Sequence, residues 1–312
     1  GINARNIGVS HDGKYVIVAN YLPNTLVILD AEDLSLIKVI PVQDESGKSS
    51  RVSAVYTADP RGSFIAALKD IAEVWEINYE NPPPTGFGEW IHDYKEDSGE
   101  GGSNKLFPVR KISVKGYLDD FFINQDYTQI AGTSREGLGQ IVDLDLGRAV
   151  SALELPGMPH LSSGISWKYQ GKTVLATPNI KKSTVTIVDT ETWNVIKQIP
   201  TKGPGFFMRS HENSPYAWVD VFFGKNRDLM HVIDKQTLEI VKTLRPAPGK
   251  TSAHVEFTKD GRYALVSIWD MDGALVIYDA KTLEEVKRIP MKKPSGKYNV
   301  HNKLTRSAGT SH

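Results

Sequence analysis

The chain has 312 residues, 40% hydrophobic and 24% charged, which is enough apolar mass for a large buried core. Lys+Arg and Asp+Glu both number 37, so no net charge draws it toward nucleic acid or anionic membranes. There is no cysteine, which excludes disulfides, thiolate metal sites and cysteine nucleophiles together.

The first strongly patterned stretch is Ser10-His11-Asp12-Gly13-Lys14-Tyr15-Val16-Ile17-Val18-Ala19-Asn20, followed by Thr25-Leu26-Val27-Ile28-Leu29-Asp30. It reads as a tight Asp-Gly turn, an alternating strand, a loop and a second strand closed by aspartate. The Asp-Gly pair tolerates the positive backbone angles of a hairpin turn. Equivalent turns follow at Pro60-Arg61-Gly62, Gln125-Asp126, Gln170-Gly171, Asn213-Ser214 and Asp260-Gly261. Their second strands are Val74–Asn78, Gln140–Asp143, Val185–Asp189, His231–Asp234 and Leu275–Asp279. A third strand is legible after four copies, at Asp33–Pro41, Thr192–Pro200, Thr237–Leu244 and Thr282–Pro290. A spacing of roughly 43 to 47 residues suits one propeller blade, so the chain is predicted to be all-β, a β-propeller of four-stranded blades with about six blades visible.

One propeller domain is expected over residues 1–312, interrupted by a surface insertion at about 82–106. Pro82-Pro83-Pro84 stiffens the entry to that insertion, and Asp97-Ser98-Gly99-Glu100-Gly101-Gly102-Ser103 resists packing. Tyr298-Asn299-Val300-His301-Asn302-Lys303-Leu304 reads as a further innermost strand with no partners. Because native sheets avoid open edges, a larger ring with blades upstream of Gly1 is expected. The chain opens on glycine rather than methionine, and removal of upstream sequence, an export signal included, is expected. No apolar run reaches membrane-spanning length.

No nucleophile elbow, phosphate loop, His-Glu-x-x-His or EF-hand pattern occurs, and Arg135-Glu136-Gly137-Leu138-Gly139 is too short for a dinucleotide fingerprint. The informative polar residues instead sit near the innermost strands, which a propeller turns toward its channel. They are His160 after Met158-Pro159, Arg209 and His211, Arg5, Arg51, Asp119, Asp120, His254, Lys297 and Tyr298. Histidines there could ligate iron or donate protons, and arginines could clamp carboxylates. Structural readings compete. A lone histidine at a strand end more often satisfies the fold, and His11 inside the turn motif is read as structural. The aspartate closing each second strand is read as a turn cap. Lys14, Arg61 and Arg262 are read as solvated.

With these residues in view, the chain resembles the haem d1-binding propeller of cytochrome cd1 nitrite reductase, and more closely the NirF family of haem d1 biogenesis proteins. The likeness is carried by Ile2-Asn3-Ala4-Arg5-Asn6-Ile7-Gly8-Val9-Ser10-His11-Asp12-Gly13-Lys14-Tyr15, by Gly205-Phe206-Phe207-Met208-Arg209-Ser210-His211-Glu212-Asn213-Ser214, and by Pro294-Ser295-Gly296-Lys297-Tyr298-Asn299-Val300. The ending Thr305-Arg306-Ser307-Ala308-Gly309-Thr310-Ser311-His312 looks specifically NirF-like. The resemblance implies an eight-bladed ring whose channel holds haem d1 or its precursor. It puts His160 and His211 over the open face of the macrocycle as the catalytic pair. Arg5, Arg51, Arg209, His254, Lys297 and Tyr298 become the binding residues, and Trp167, Phe206 and Phe207 are candidates for packing on the ring. The proximal iron ligand is expected upstream of Gly1.

Two departures matter. Leu161-Ser162-Ser163-Gly164 stands where the reductase has an arginine after the first distal histidine, and no Cys-x-x-Cys-His is present to attach an electron-entry haem. Both speak against nitrite reduction. The resemblance therefore implies a haem d1 biosynthesis protein, exported to the periplasm. It binds a tetrapyrrole precursor and completes it by side-chain or ring dehydrogenation, or transfers it for nitrite reductase maturation. Other haem d1 biogenesis proteins and nitrite reductase are the protein partners implied. The alternative is a ligand-free propeller scaffold for protein–protein interaction. Convergence of the named residues on one cavity separates the two, since fold alone does not.

Overall fold

The computed structural model describes residues 1–80, 106–134 and 138–296. Most of the expected insertion, the turn at 135–137, Lys297, Tyr298 and the terminal strand lie outside the described residues.

Six antiparallel sheets of four strands follow one another, each a simple meander. The first is β1 (Asn3–Val9), β2 (Tyr15–Leu22), β3 (Thr25–Asp30) and β4 (Leu36–Pro41). The second is β5 (Val52–Ala58), β6 (Ser63–Leu68), β7 (Glu73–Asn78) and β8 (Val109–Ser113). The third is β9 (Asp120–Ile123), β10 (Gln129–Thr133), β11 (Gly139–Asp143) and β12 (Arg148–Ala152). The fourth is β13 (Ile165–Tyr169), β14 (Lys172–Pro178), β15 (Thr184–Asp189) and β16 (Val195–Pro200). The fifth is β17 (Met208–Ser210), β18 (Tyr216–Asp220), β19 (Met230–Asp234) and β20 (Glu239–Leu244). The sixth is β21 (Ser252–Phe257), β22 (Tyr263–Ile268), β23 (Ala274–Asp279) and β24 (Glu285–Pro290).

These are the predicted blades, with fourth strands at β8 and β12 that the sequence pattern does not disclose. In blade six burial falls from the first strand to the last: β21 is buried along its whole length, while every residue of β24 is exposed.

Contacts divide the chain into two compact units, Gly1–Ala152 and Leu153–His312, of three blades each. In the first unit the faces of blades one and two bury Ile17, Leu26, Phe64 and Trp75, and blades two and three close on Ile65, Phe121 and Ile130. In the second, blades four and five bury Trp167, Ile187 and Met208, and blades five and six bury Trp218, Val232, Val266 and Phe257. Sheets packed face to face through such residues are held chiefly by the area they remove from water.

The turn aspartates behave as read. Asp30 accepts the Glu32 amide, Asp189 the Glu191 and Thr192 amides, Asp234 the Gln236 and Thr237 amides, and Asp279 those of Lys281 and Thr282. His11 is indeed structural, its Nδ1 3.0 Å from the Tyr79 hydroxyl.

Arg61 corrects its expectation. It is not solvated: its side chain is 16% exposed, with Nε 2.7 Å from Glu76 Oε1 and Nη1 2.6 Å from Asp145. Glu76 is fully buried on β7, and a buried carboxylate must be paired. The short 3₁₀ turn Asp59–Arg61 supplies that partner, and Arg110 stands on the other side at 3.5 Å.

Candidate functional site

In the second unit, two aromatic pairs flank strand β18. Phe206-Phe207 precede β17 and Phe222-Phe223 follow β18, and all four rings are only half-buried. They pack edge to face, Phe206 with Phe207 at 4.6 Å and Phe222 with Phe223 at 4.9 Å, while Phe206 and Phe222 lie 5.3 Å apart at 35°. Trp269 joins them, 5.3 Å from Phe222 and 6.0 Å from Phe207. Half-exposed aromatic faces gathered in one place suit a flat, largely apolar ligand.

Two histidines pack against this shelf, His160 half-buried and His254 buried. His160 lies nearly parallel to Phe206, centroids 4.0 Å apart at 30°, and its Nδ1 is 2.5 Å from the Phe206 carbonyl oxygen. A carbonyl only accepts, so Nδ1 carries the proton, and Nε2 is left to accept from the Ser162 hydroxyl at 3.2 Å. The loop that presents His160 is fastened by Asn179, which accepts the Met158 amide and donates to the Pro156 carbonyl; the His160 amide donates to Pro178.

His254 comes from blade six, 4.5 Å from the Phe207 ring. It has φ +52°, a left-handed conformation that costs a non-glycine residue about 1 to 3 kcal/mol. The ladder between β21 and β22 shifts register between Ala253 and Glu256, so His254 sits at a bulge that re-aims it.

Behind the shelf stands Asp220, the last residue of β18, with no exposure to solvent. Its Oδ1 accepts the Phe206 amide at 2.7 Å and the Phe207 amide at 3.1 Å. Burial pushes the carboxyl up to about 7, against the opposing pull of the Phe206, Phe207 and His254 amides. Gly205 makes the approach possible, since a Cβ there would come within 2.9 Å of the Asp220 carbonyl oxygen.

The other predicted residues fall elsewhere. His211 is fully buried at the far end of β17, in the turn to β18, where Asn213 donates to Nδ1 at 3.1 Å and Nε2 meets the Lys259 carbonyl at 3.0 Å. Arg209, 6% exposed, faces Glu256 at 3.6 Å and donates to the Met208 carbonyl. Trp167 is a core residue donating to the Lys235 carbonyl.

Arg5 and Arg51 belong to the first unit and flank one ring there, at 5.5 and 5.4 Å from the centroid of Tyr21. Arg5 is exposed, at a register shift of β1, and Arg51 is held bidentate by Asp70 at 2.8 and 2.6 Å. Asp119 pairs with the buried Lys69, and Asp120 accepts the Phe121 amide. Lys297 and Tyr298 fall outside the described residues. Among the described residues no three His, Asp or Glu side chains converge to hold a metal ion.

The Cytochrome D1 heme domain family matches residues 1–303 of this chain. The chain belongs to that family. Dihydro-heme d1 dehydrogenase of Pseudomonas aeruginosa is 53% identical over 313 residues, covering 100% of this chain and 59% of that protein. Protein NirF of Pseudomonas aeruginosa is 27% identical, covering 96% of this chain and 73% of that protein. A solved structure of dihydro-heme d1 dehydrogenase NirN in complex with DHE superposes with TM-score 0.86, covering 97% of this chain and 60% of that one.

The D1 heme domain family thus accounts for the propeller. The expected NirF-like character is corrected by the identities, which favour the dehydrogenase 53% to 27%. The NirF-like ending at residues 305–312 lies outside the described residues. The chain spans about 59% of the length of that dehydrogenase.

Asp220, Phe222, Phe223 and Trp269 escaped the reading of the sequence. Their signal was present: two Phe-Phe pairs in loops, outside any strand, with an acid ending the strand between them.

Proposed function

We propose that this D1 heme domain binds a dihydro-haem d1-type tetrapyrrole on the shelf of Phe206, Phe207 and Phe222 and takes part in its dehydrogenation. The observation that carries this reading is the placement of half-buried His160, with buried His254 behind Phe207, against one half-exposed aromatic surface, in a chain 53% identical throughout to a dihydro-haem d1 dehydrogenase.

Dehydrogenation turns a saturated C–C bond into a C=C bond and releases two protons and two electrons. His160, half-buried and with Nε2 facing the Ser162 hydroxyl, is placed to accept one proton from a bound substrate at Nε2; His254 is the second candidate. The two electrons pass to an external electron acceptor, and the tetrapyrrole when bound supplies the conjugation that stabilises the reacting carbon. The protein's share is to bind, orient and exclude water, which the aromatic rings do, and to move protons. His211, fully buried between the turns of blades five and six, serves the fold in this reading.

The test is turnover of dihydro-haem d1 by the chain with an external one-electron acceptor, followed by visible absorbance, beside His160→Gln and His254→Gln. The expected result is conversion that falls about a hundredfold in each variant, within the range for loss of a general base. Binding without conversion in the parent chain would restrict the domain to carrying the tetrapyrrole. No binding would overturn the proposal.

A further inference from the structure

We infer that Asp220 is the positioning residue of this site, fastening Phe206 and Phe207 and, through them, setting the tautomer and orientation of His160. The chain of contacts is short. Asp220 Oδ1 accepts the amides of Phe206 and Phe207 at 2.7 and 3.1 Å. The Phe206 carbonyl then takes His160 Nδ1 at 2.5 Å, and its ring lies 4.0 Å above the imidazole. The Phe207 ring in turn lies 4.5 Å from His254, whose own amide acts on the same carboxyl. One buried side chain therefore gathers main-chain donors from both halves of the site.

The residue type follows from the donors. Oδ1 takes both the Phe206 and the Phe207 amides, and the His254 amide also acts on the carboxyl. Oδ2 has no hydrogen-bond partner among the described residues, although it is buried. A residue placed for packing alone would not bear that desolvation; a buried carboxyl with an unmet oxygen marks a geometry held at a cost. A histidine fixed in the Nδ1–H form presents Nε2 as the base, the state the proposed proton transfer needs.

The kinetic part of this inference rests on the proposed function; its spectroscopic part does not. The experiment is nitrogen-detected NMR of the full chain with labelled histidine, in the parent, Asp220→Asn and Asp220→Ala proteins, together with their turnover of dihydro-haem d1. In the parent, His160 should show the single Nδ1–H tautomer. In D220A that signature should give way to exchanging tautomers, and D220N should move it the same way by less. His211 and His231, held by Lys259 and Asn213 and by Lys202 and Thr243, should not move in either variant. Should D220A fail to fold, D220N carries the comparison. The expected kinetic result is a fall in kcat of about tenfold to a hundredfold with little change in KM. An unchanged His160 signal in a folded variant, or equal shifts at His211 and His231, would overturn the inference. A moved His160 signal with no turnover in the parent would uphold it and count against the proposed function instead.

Discussion

Asp220 and Asp70 are both aspartates, yet burial and pairing drive them in opposite directions. Asp70 is held at about 2 by the Arg51 guanidinium, whereas burial raises Asp220 from 3.8 to about 7. The linkage signs therefore differ. Between the two Asp220 values the folded protein holds a proton that the unfolded chain has lost, so stability from this group is full below 3.8 and is lost as pH rises through about 7. Asp70 does the reverse: its contribution is present above 3.8 and is lost as pH falls toward 2. His231, pushed down to about 4 by burial, also favours the fold as pH rises, between 4 and 6.5. The stability of the parent minus that of D220N isolates Asp220. That difference should fall from pH 4 to pH 7 and stay level above, in chemical denaturation at stepped pH. A flat difference would place Asp220 in water.

At the scale of elements, the turns do more than reverse the chain. His211 occupies the first turn position, where blade one has Ser10 and blade six has Thr258, and the i to i+3 bonds Gly13 to Ser10, Ser214 to His211 and Gly261 to Thr258 match. It also reaches the Lys259 carbonyl, and Asn213 reaches that of Asp260, so one imidazole staples the turn of blade five to that of blade six. Gly261 has φ +72° and lies so close that a Cβ would strike the ring. His211→Ala should lower unfolding free energy by about 2 kcal/mol, the cost of unmet buried hydrogen bonds, and leave ligand affinity intact, both read from denaturation and titration. The pair Arg61 and Glu76 offers a second check. Arg61→Ala strands a fully buried carboxylate and should destabilise by about 3 to 5 kcal/mol; the double change to Arg61→Met and Glu76→Gln should recover most of it. Turn chemistry was legible because Asp-Gly and the closing aspartates act through neighbouring backbone. The roles of His211 and Arg61 were not, because the Lys259 carbonyl lies 48 residues from His211, and Glu76 and Asp145 lie 15 and 84 residues from Arg61.

At the scale of the molecule, the repeat that disclosed six blades is a local signal renewed every blade, and so the fold was the most legible property. The proposed site was half legible. His160 was named by its position before an inner strand, and Phe206 and Phe207 by the resemblance. Asp220, Phe222, Phe223 and Trp269 were missed, since a shelf built from three blades has no signature in any one of them. Arg5 and Arg51 were named with the histidines, and within the first unit they gather on Tyr21. The most direct test of the tetrapyrrole site is a visible-absorbance titration of dihydro-haem d1 into the whole chain, beside His160→Ala and His211→Ala. Saturable binding that weakens about tenfold in H160A, a change of about 1.4 kcal/mol, and is untouched in folded H211A is the predicted result. Equal isotherms for all three proteins, or weakening in H211A alone, would contradict a ligand site on the aromatic shelf.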